Sequence, residues 1–281
     1  MRFDVQHRDA FASLVAVSDA GGADLILTSP PYPDARTDAQ YGGASFDTSV
    51  EGYGRLGDAV FAALKPGGVC VLNIDGPCRV WRPEIGESER SMIAFEVALD
   101  WAKRIGFRYV EHAAYVRDGR PGRFGPRWRT GWEPVHIFSR PGGEIYFDAS
   151  AYVVPSKHAG KREHKKQGRA KGRAMGDLSG WFNTPESRQI STALAVTVSR
   201  HNSDGDHPAP FARELGDAYV LCYSPPDGLV ADPFVGSGTV ALACHRHGRR
   251  FVGGDLGHRE RDGRSWADVV NDLLKQGTLF T

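Results

Sequence analysis

Cysteine is scarce in this chain. The four residues, Cys70, Cys78, Cys222 and Cys244, form no C-x-x-C pair, so no metal site is expected and a reduced, cytoplasmic protein is predicted. Long hydrophobic runs are absent. No stretch approaches the roughly 18 apolar residues of a membrane span, and the opening MRFDVQHRDAF has no apolar signal-peptide core, so no membrane partner is expected. Net charge is nearly absent too, at +1. That balance says nothing about nucleic acid, but its distribution does. Residues 156–173 carry eight Lys/Arg against Glu163 alone, and residues 117–129 carry five Arg against Asp118. The remainder of the chain is therefore acidic. Positive charge gathered in two segments can bind a polyanion locally; the plain alternative is two solvated loops.

What is present suits a folded domain. Hydrophobic residues make up 41% and charged residues 25%, and 281 residues suffice for one α/β domain with a small insert. No internal repeat is visible. In residues 1–140, buried-strand runs at Asp24–Thr28, Val69–Ile74, Phe107–Val116 and Pro134–Phe138 alternate with helical spacing at 50–64 and 88–105. Residues 141–206 break the rhythm with Gly, Lys, Arg and Ser. Residues 207–281 resume it, with a helical run to Cys222, strands at Gly228–Ala231 and Arg250–Gly254, and helices at 239–247 and 265–275. Strands alternating with helices predict a mainly parallel sheet covered on both faces.

Two constellations carry chemistry. The first, Ser29-Pro30-Pro31-Tyr32, directly follows the strand ending at Thr28. Adjacent prolines have fixed φ and no N–H, so they hold a rigid extended turn that no helix can absorb. A hydroxyl beside a free carbonyl can accept both protons of one amino group, and the tyrosine ring offers a planar base a face to stack on. A simple proline turn is the competing reading. The second is Asp232-Pro233-Phe234-Val235-Gly236-Ser237-Gly238-Thr239, between a strand and a helix, with Asp255 ending the next strand. A glycine turn into a helix N-terminus, followed by an acid able to bond ribose hydroxyls, suits a nucleotide-like cofactor. Taken alone it fits a nicotinamide-dependent oxidoreductase equally well.

Together these residues resemble the amino-methyltransferases that modify DNA at cytosine N4 or adenine N6. Ser29–Tyr32 matches that family's [DNS]-P-P-[YFW] motif, and Asp232–Thr239 its D-P-F-x-G-S-G-T motif. Leu64–Gly68 (LKPGG), Trp132–Phe138 (WEPVHIF) and His207–Phe211 (HPAPF) are further matches. The motif order resembles the permuted β class. The resemblance implies a Rossmann-like class I methyltransferase fold, with a mostly parallel seven-stranded sheet, one antiparallel strand and a small loop-rich insert. It implies a catalytic half at 1–140, a basic target-recognition region at 141–206 and a cofactor half at 207–281. The implied cofactor is S-adenosyl-L-methionine, and the implied partner is double-stranded DNA, with a cognate restriction endonuclease as a second partner the family allows.

The carry-over makes Ser29, Pro30, Pro31 and Tyr32 catalytic. It puts Asp9, Thr28, Asp232, Phe234, Gly236, Ser237, Gly238, Thr239 and Asp255 against the cofactor, with His207, Pro210 and Phe211. Asp9 stands in His7-Arg8-Asp9-Ala10 where the family has G-D-A, so Arg8 departs from the pattern. Asn73 and Asp75 line the base pocket or merely end a strand. Phosphate contacts are expected from Lys157, Lys161, Arg162, Lys165, Lys166, Arg169, Lys171 and Arg173; Arg123, Arg127, Arg129 and Trp128 are expected to reach the groove or to fill the gap left by a flipped base. Serine at the first motif position leans towards cytosine N4; adenine N6 stays open. A cytosine-C5 enzyme would need a Pro-Cys nucleophile. Pro77-Cys78 is present but follows another strand and leaves Ser-Pro-Pro-Tyr unexplained, so Cys78 is expected to be structural. An RNA substrate also stays open, as does a DNA-binding protein without catalysis, which would leave both motifs unexplained.

Overall fold

The structure, a computed structural model, describes residues 2–33, 46–76, 80–84, 86–117, 131–155, 162–165, 180–183, 187–189, 193–196, 212–259 and 261–276. The chain divides into two compact units, Met1–Phe147 with Thr192–Thr281, and Asp148–Ser191.

The first half of the larger unit runs β1 (Phe3–Gln6), α1 (Ala10–Asp19), β2 (Ala23–Thr28), α2 (Val50–Ala63) and β3 (Leu64–Asn73). Asp9 and Ser49 cap α1 and α2, each accepting a hydrogen bond from a first-turn amide. The Lys65-Pro66-Gly67-Gly68 segment does stop α2, but the strand starts earlier than its apolar run at Val69. Leu64 already pairs with Ala23, and the backbones of Gly67 and Gly68 bond that of Arg140 at 2.8 and 2.9 Å.

Next come a hairpin, β4 (Val80–Arg82) and β5 (Glu87–Glu89), and then α3 (Ile93–Asp100), which runs on into a π turn at Trp101–Ile105. The helix expected over 88–105 therefore begins five residues late. Its buried side chains are Ile93, Ala94, Val97, Ala98 and Trp101, and Glu87–Glu89 pair as a strand instead. β6 (Arg108–Arg117) and β7 (Trp132–Ser139) follow.

The smaller unit holds two strand pairs, β8 (Val153–Pro155) with β11 (Ser187–Gln189), and β9 (Arg162–Lys165) with β10 (Gly180–Asn183), both antiparallel. The chain re-enters the larger unit at β12 (Ala193–Val196) and continues through α4 (Arg213–Tyr223), β13 (Leu229–Asp232), α5 (Thr239–His247), β14 (Arg250–Gly254) and α6 (Trp266–Gln276).

One sheet organises the larger unit, in the order β1-β14-β13-β2-β3-β7-β6-β12. Only β7 runs against the rest, pairing antiparallel with both β3 and β6. The expected seven strands are there, and β12 adds a parallel eighth at the β6 edge. Side-chain alternation splits the core in two. Leu25, Leu27, Val69, Val71 and Val230 pack against Leu215, Val220, Val240 and Val270 of α4–α6. Ile26, Cys70, Leu72 and Ala231 pack against Leu14, Leu56, Val60 and Val97 of α1–α3. Each half of the chain thus supplies the helices of one face.

Candidate active site

β13 and β2 are parallel neighbours, with Val230 opposite Leu25 and Ala231 opposite Ile26. The chain leaves β13 through α5 towards β14 on one side, and β2 through α2 towards β3 on the other. Loops leaving adjacent strands in opposite directions part at their ends, and ligands of open α/β sheets bind in that gap. Ser29–Tyr32 is one of these loops and Asp232–Gly238 is the other. They face each other across a small crevice lined by Ser29, Asp232, Phe234, Gly236, Ser237 and Thr239.

The two motifs touch. Thr28 Oγ1 donates to Asp232 Oδ1 at 2.8 Å across 204 residues of sequence, and the Phe234 amide donates to the same oxygen at 3.0 Å. Burial pushes the Asp232 carboxyl up to about 7 against the pull of those two bonds, and the charge of Asp255 adds to the rise. Phe46 stands edge-on to Phe234 at 5.3 Å and tilted on Tyr53 at 5.4 Å, and so links the glycine loop to α2.

On the glycine side, Gly238 is the N-cap of α5 at φ +86° and provides no side-chain cap. A Cβ there would lie 2.6 Å from Val270 Cγ2, so this glycine lets α6 close on the turn rather than a ligand approach it. Asp255 accepts from the amides of Gly236 at 2.8 Å and Gly257 at 2.6 Å, one on each oxygen. It therefore holds the turn, and each oxygen keeps a second lone pair for another donor. Asp9 caps α1 through Ala12 at 2.8 Å. Arg8, where the resembling family has glycine, lies across the end of β14 and donates to Asp4 Oδ2 at 3.0 Å and Gly253 O at 3.3 Å. The hydroxyls of Ser237 and Thr239, the Asp255 carboxylate, the Phe234 ring and a helix N-terminus fit a nucleoside bearing a charged amino-acid tail.

On the proline side, Tyr53 donates to Pro31 O at 2.5 Å and fixes the turn from α2. Tyr32 is half-buried. Its hydroxyl lies 3.3 Å from Ser29 Oγ and donates to Glu133 Oε2 at 3.2 Å. Burial and then the Glu133 charge raise the Tyr32 phenol well above its ordinary range. Glu133, on β7, is buried at 2% exposure. Asp75, just past β3, pairs with Arg90 at 2.8 Å; burial raises its carboxyl, and the Glu133 charge adds to this while Arg90 opposes it. Asn73 spends its amide on Pro134 O at 3.1 Å.

Glu133, Tyr53, Phe46 and Arg90 were not singled out from the sequence. Glu133 alone left a signal, an acid inside the largely apolar run WEPVHIF, where a buried charge needs a partner. His207, Pro210, Phe211, Cys78 and all the basic candidates from Arg123 to Arg129 fall outside the described residues or their described side chains, as do Lys157, Lys161, Arg162, Lys165, Lys166, Arg169, Lys171 and Arg173.

Residues 23–262 match the model of the DNA methylase family that acts at N6 or N4. The chain belongs to that family. As an N6/N4 DNA methylase it is a DNA amino-methyltransferase, and the family is S-adenosylmethionine-dependent. It is 25% identical over 265 residues to the orphan methyltransferase M.BamHII of Bacillus amyloliquefaciens, covering 90% of this chain and 88% of that one. It is 43% identical over 233 residues to the type II methyltransferase M.ScaI of Streptomyces caespitosus, covering 82% and 69%. Among solved structures, the fold is similar to the cytosine-N4-specific PvuII DNA methyltransferase, with a TM-score of 0.64, 16% identity and coverage of 98% and 93%. It is similar also to M1.HpyAVI in complex with S-adenosylmethionine, with a TM-score of 0.60, 16% identity and coverage of 97% and 98%. No helix among the described residues is long and apolar enough to cross a membrane.

Proposed function

We propose that this N6/N4 methylase transfers its methyl group to the exocyclic N4 of cytosine, at specific sites in double-stranded DNA. The observation that carries the reading is the shared crevice, which brings the Ser29-Pro30 turn to the glycine turn. The serine at the first motif position favours cytosine, and the likeness to a protein described as cytosine-N4-specific supports it. Adenine N6 is the second reading, because Pro-Pro-Tyr is common to both.

The residues divide the work. Asp255 takes the ribose with its remaining lone pairs, Phe234 packs on the adenosine, and Ser237, Thr239 and the amides at the start of α5 meet the amino-acid end. Asp232 and Thr28 close the floor of the crevice. Asp9, His207, Pro210 and Phe211 complete the cofactor contacts. When bound, S-adenosylmethionine supplies an activated methyl group on a sulfonium that leaves as a neutral sulfide.

An exocyclic amine is a weak nucleophile because its lone pair is delocalised into the ring. The Ser29 hydroxyl and Pro30 carbonyl accept its two protons, favour a pyramidal nitrogen and aim the lone pair at the methyl group; positioning supplies most of the acceleration. The base is reachable only when flipped from the duplex, which costs a few kcal/mol. Tyr32 stacks on it, while the basic segments grip phosphate, so binding weakens steeply with salt. A cognate endonuclease is the partner this activity would have in a type II system.

Nucleoside mass spectrometry of treated DNA tests the reading. N4-methylcytosine is expected; N6-methyladenine would overturn the choice of base, and 5-methylcytosine would overturn direct amine methylation.

A further inference from the structure

Methylating an amine leaves its nitrogen with one proton too many, and neither Ser29 nor the Pro30 carbonyl is a base. The buried acid behind them is Glu133. Its carboxylate, the Tyr32 hydroxyl and the Ser29 hydroxyl form an unbroken string, at 3.2 Å and 3.3 Å, that ends at the crevice. We propose that Glu133 is the final acceptor of the substrate amine's proton, reached through Ser29 and Tyr32. This rests on the reading of the site as a direct amino-methyltransferase.

The string has a direction. A phenol has one proton, and Tyr32 gives it to Glu133. The proton between Ser29 and Tyr32 therefore belongs to Ser29, which leaves the lone pairs of Ser29 facing the substrate as acceptors. Burial and the Glu133 charge keep Tyr32 a neutral hydroxyl, able to receive a proton and pass one on.

The second acid nearby does not compete. The β3–β7 register, Asn73 opposite Val135, brings Asp75 opposite Glu133 just beyond the end of β3. Two carboxylates facing each other repel, and Arg90 holds both oxygens of Asp75, at 2.8 and 3.0 Å. Among the described residues, Tyr32 and Asp75 face Glu133, and Arg90 pairs with Asp75.

The step balances. The nitrogen lone pair forms the N–C bond as the donor's C–S bond breaks, and that electron pair stays on sulfur. The amine proton moves to Ser29 Oγ, the Ser29 proton to Tyr32 Oη, and the Tyr32 proton to Glu133. The products are a secondary amine, two neutral hydroxyls and a protonated carboxyl that later returns its proton to solvent. Glu133 acts through Tyr32 and touches no substrate atom.

The test is single-turnover methyl transfer by the full chain to duplex DNA at saturating donor, as a function of pH. Glu133→Gln keeps the shape and an oxygen for Tyr32 but takes no proton. The rate is expected to fall about 10²-fold or more and the acid limb of the profile to vanish, with affinity for S-adenosylhomocysteine unchanged. Glu133→Asp recovers part of the rate, and Tyr32→Phe behaves like Glu133→Gln. A Glu133→Gln rate within about twofold of wild type, or a reduced rate with the acid limb intact, overturns the relay. A readout without donor or DNA checks the contact itself. The near-ultraviolet difference between wild type and Glu133→Gln should hold a tyrosine band that disappears when both carry Tyr32→Phe; its absence also overturns the proposal. If wild type made no N-methylated base, the underlying reading would fail instead, so the two failures are distinct.

Discussion

At Ser29 and Asp232 the chemistry comes down to single oxygen atoms. Ser29→Ala removes one of the two acceptors proposed for the amine and leaves the glycine-turn side of the crevice in place. Methyl transfer is expected to drop roughly 10²-fold or more, while S-adenosylhomocysteine still binds; calorimetric titration beside a transfer assay separates the two, and wild-type transfer would reject the role. Asp232 sets a pH dependence. Its carboxyl is pushed up to about 7 in the folded protein, from 3.8 when free. The folded state keeps a proton that the unfolded chain has released, so stability falls as pH rises from about 4 to about 7 and then levels off. At about 1.4 kcal/mol per pH unit, the fall amounts to about 4 kcal/mol at most. Asp232→Asn keeps the acceptor for Thr28 and Phe234 and should flatten that slope. Denaturant melts at either end of the window check it, and equal slopes in the two proteins would reject a buried proton. Ser29 and Asp232 were legible because their neighbours are diagnostic. Glu133 was not, because one acid in a strand pattern does not reveal what it faces.

Among the elements, α2 and α3 show tertiary packing overriding local preference. Gly57 sits inside α2, where alanine would gain about 1 kcal/mol of helix propensity. Its missing Cβ, however, is filled by Trp101, whose indole would lie 2.5 Å away. Trp101 is fully buried, stacks on Phe107 at 5.3 Å and donates to Tyr53 O at 2.9 Å. Overpacking of this kind costs about 1–3 kcal/mol, so Gly57→Ala is expected to lower stability by a net ~1 kcal/mol or more. Urea melts give the answer, and a stabilised variant would show that the indole yields freely. The same contact bears on the site, because Tyr53 also fixes Pro31. Most of the larger unit's strands and helices were readable from periodicity, but β1, α1 and β12 were not singled out. The β4–β5 hairpin was not, since Glu87-Ser88-Glu89 carries no apolar alternation and pairs only because Val80–Arg82 lies beside it.

Across the whole molecule, the order of the chain and the order of the sheet disagree, and the crevice depends on the disagreement. β2 and β13 belong to opposite ends of the sequence yet lie side by side. At their far ends Asp24 ties them, accepting from the Leu229 amide at 2.7 Å and from Lys65 Nζ at 2.8 Å. Ligand binding at such a seam should stabilise the entire fold, since both halves contribute to it. S-adenosylhomocysteine at 100 times its Kd is expected to add about 2.7 kcal/mol, seen as a rise in Tm, with NAD giving none. The reverse pattern would return the glycine turn to a nicotinamide cofactor.

Apolar periodicity alone determined the class of fold and the positions of the two turns, and the resemblance of their motifs pointed to the family, because glycine, proline and periodic apolar residues impose backbone geometry locally. Only the tertiary structure decided that Gly238 serves α6, that Asp255 already braces the glycine turn and that Glu133 stands behind Ser29. Those facts depend on which elements become neighbours, and contacts between residues 19 to 101 positions apart leave no trace in the local pattern of either partner.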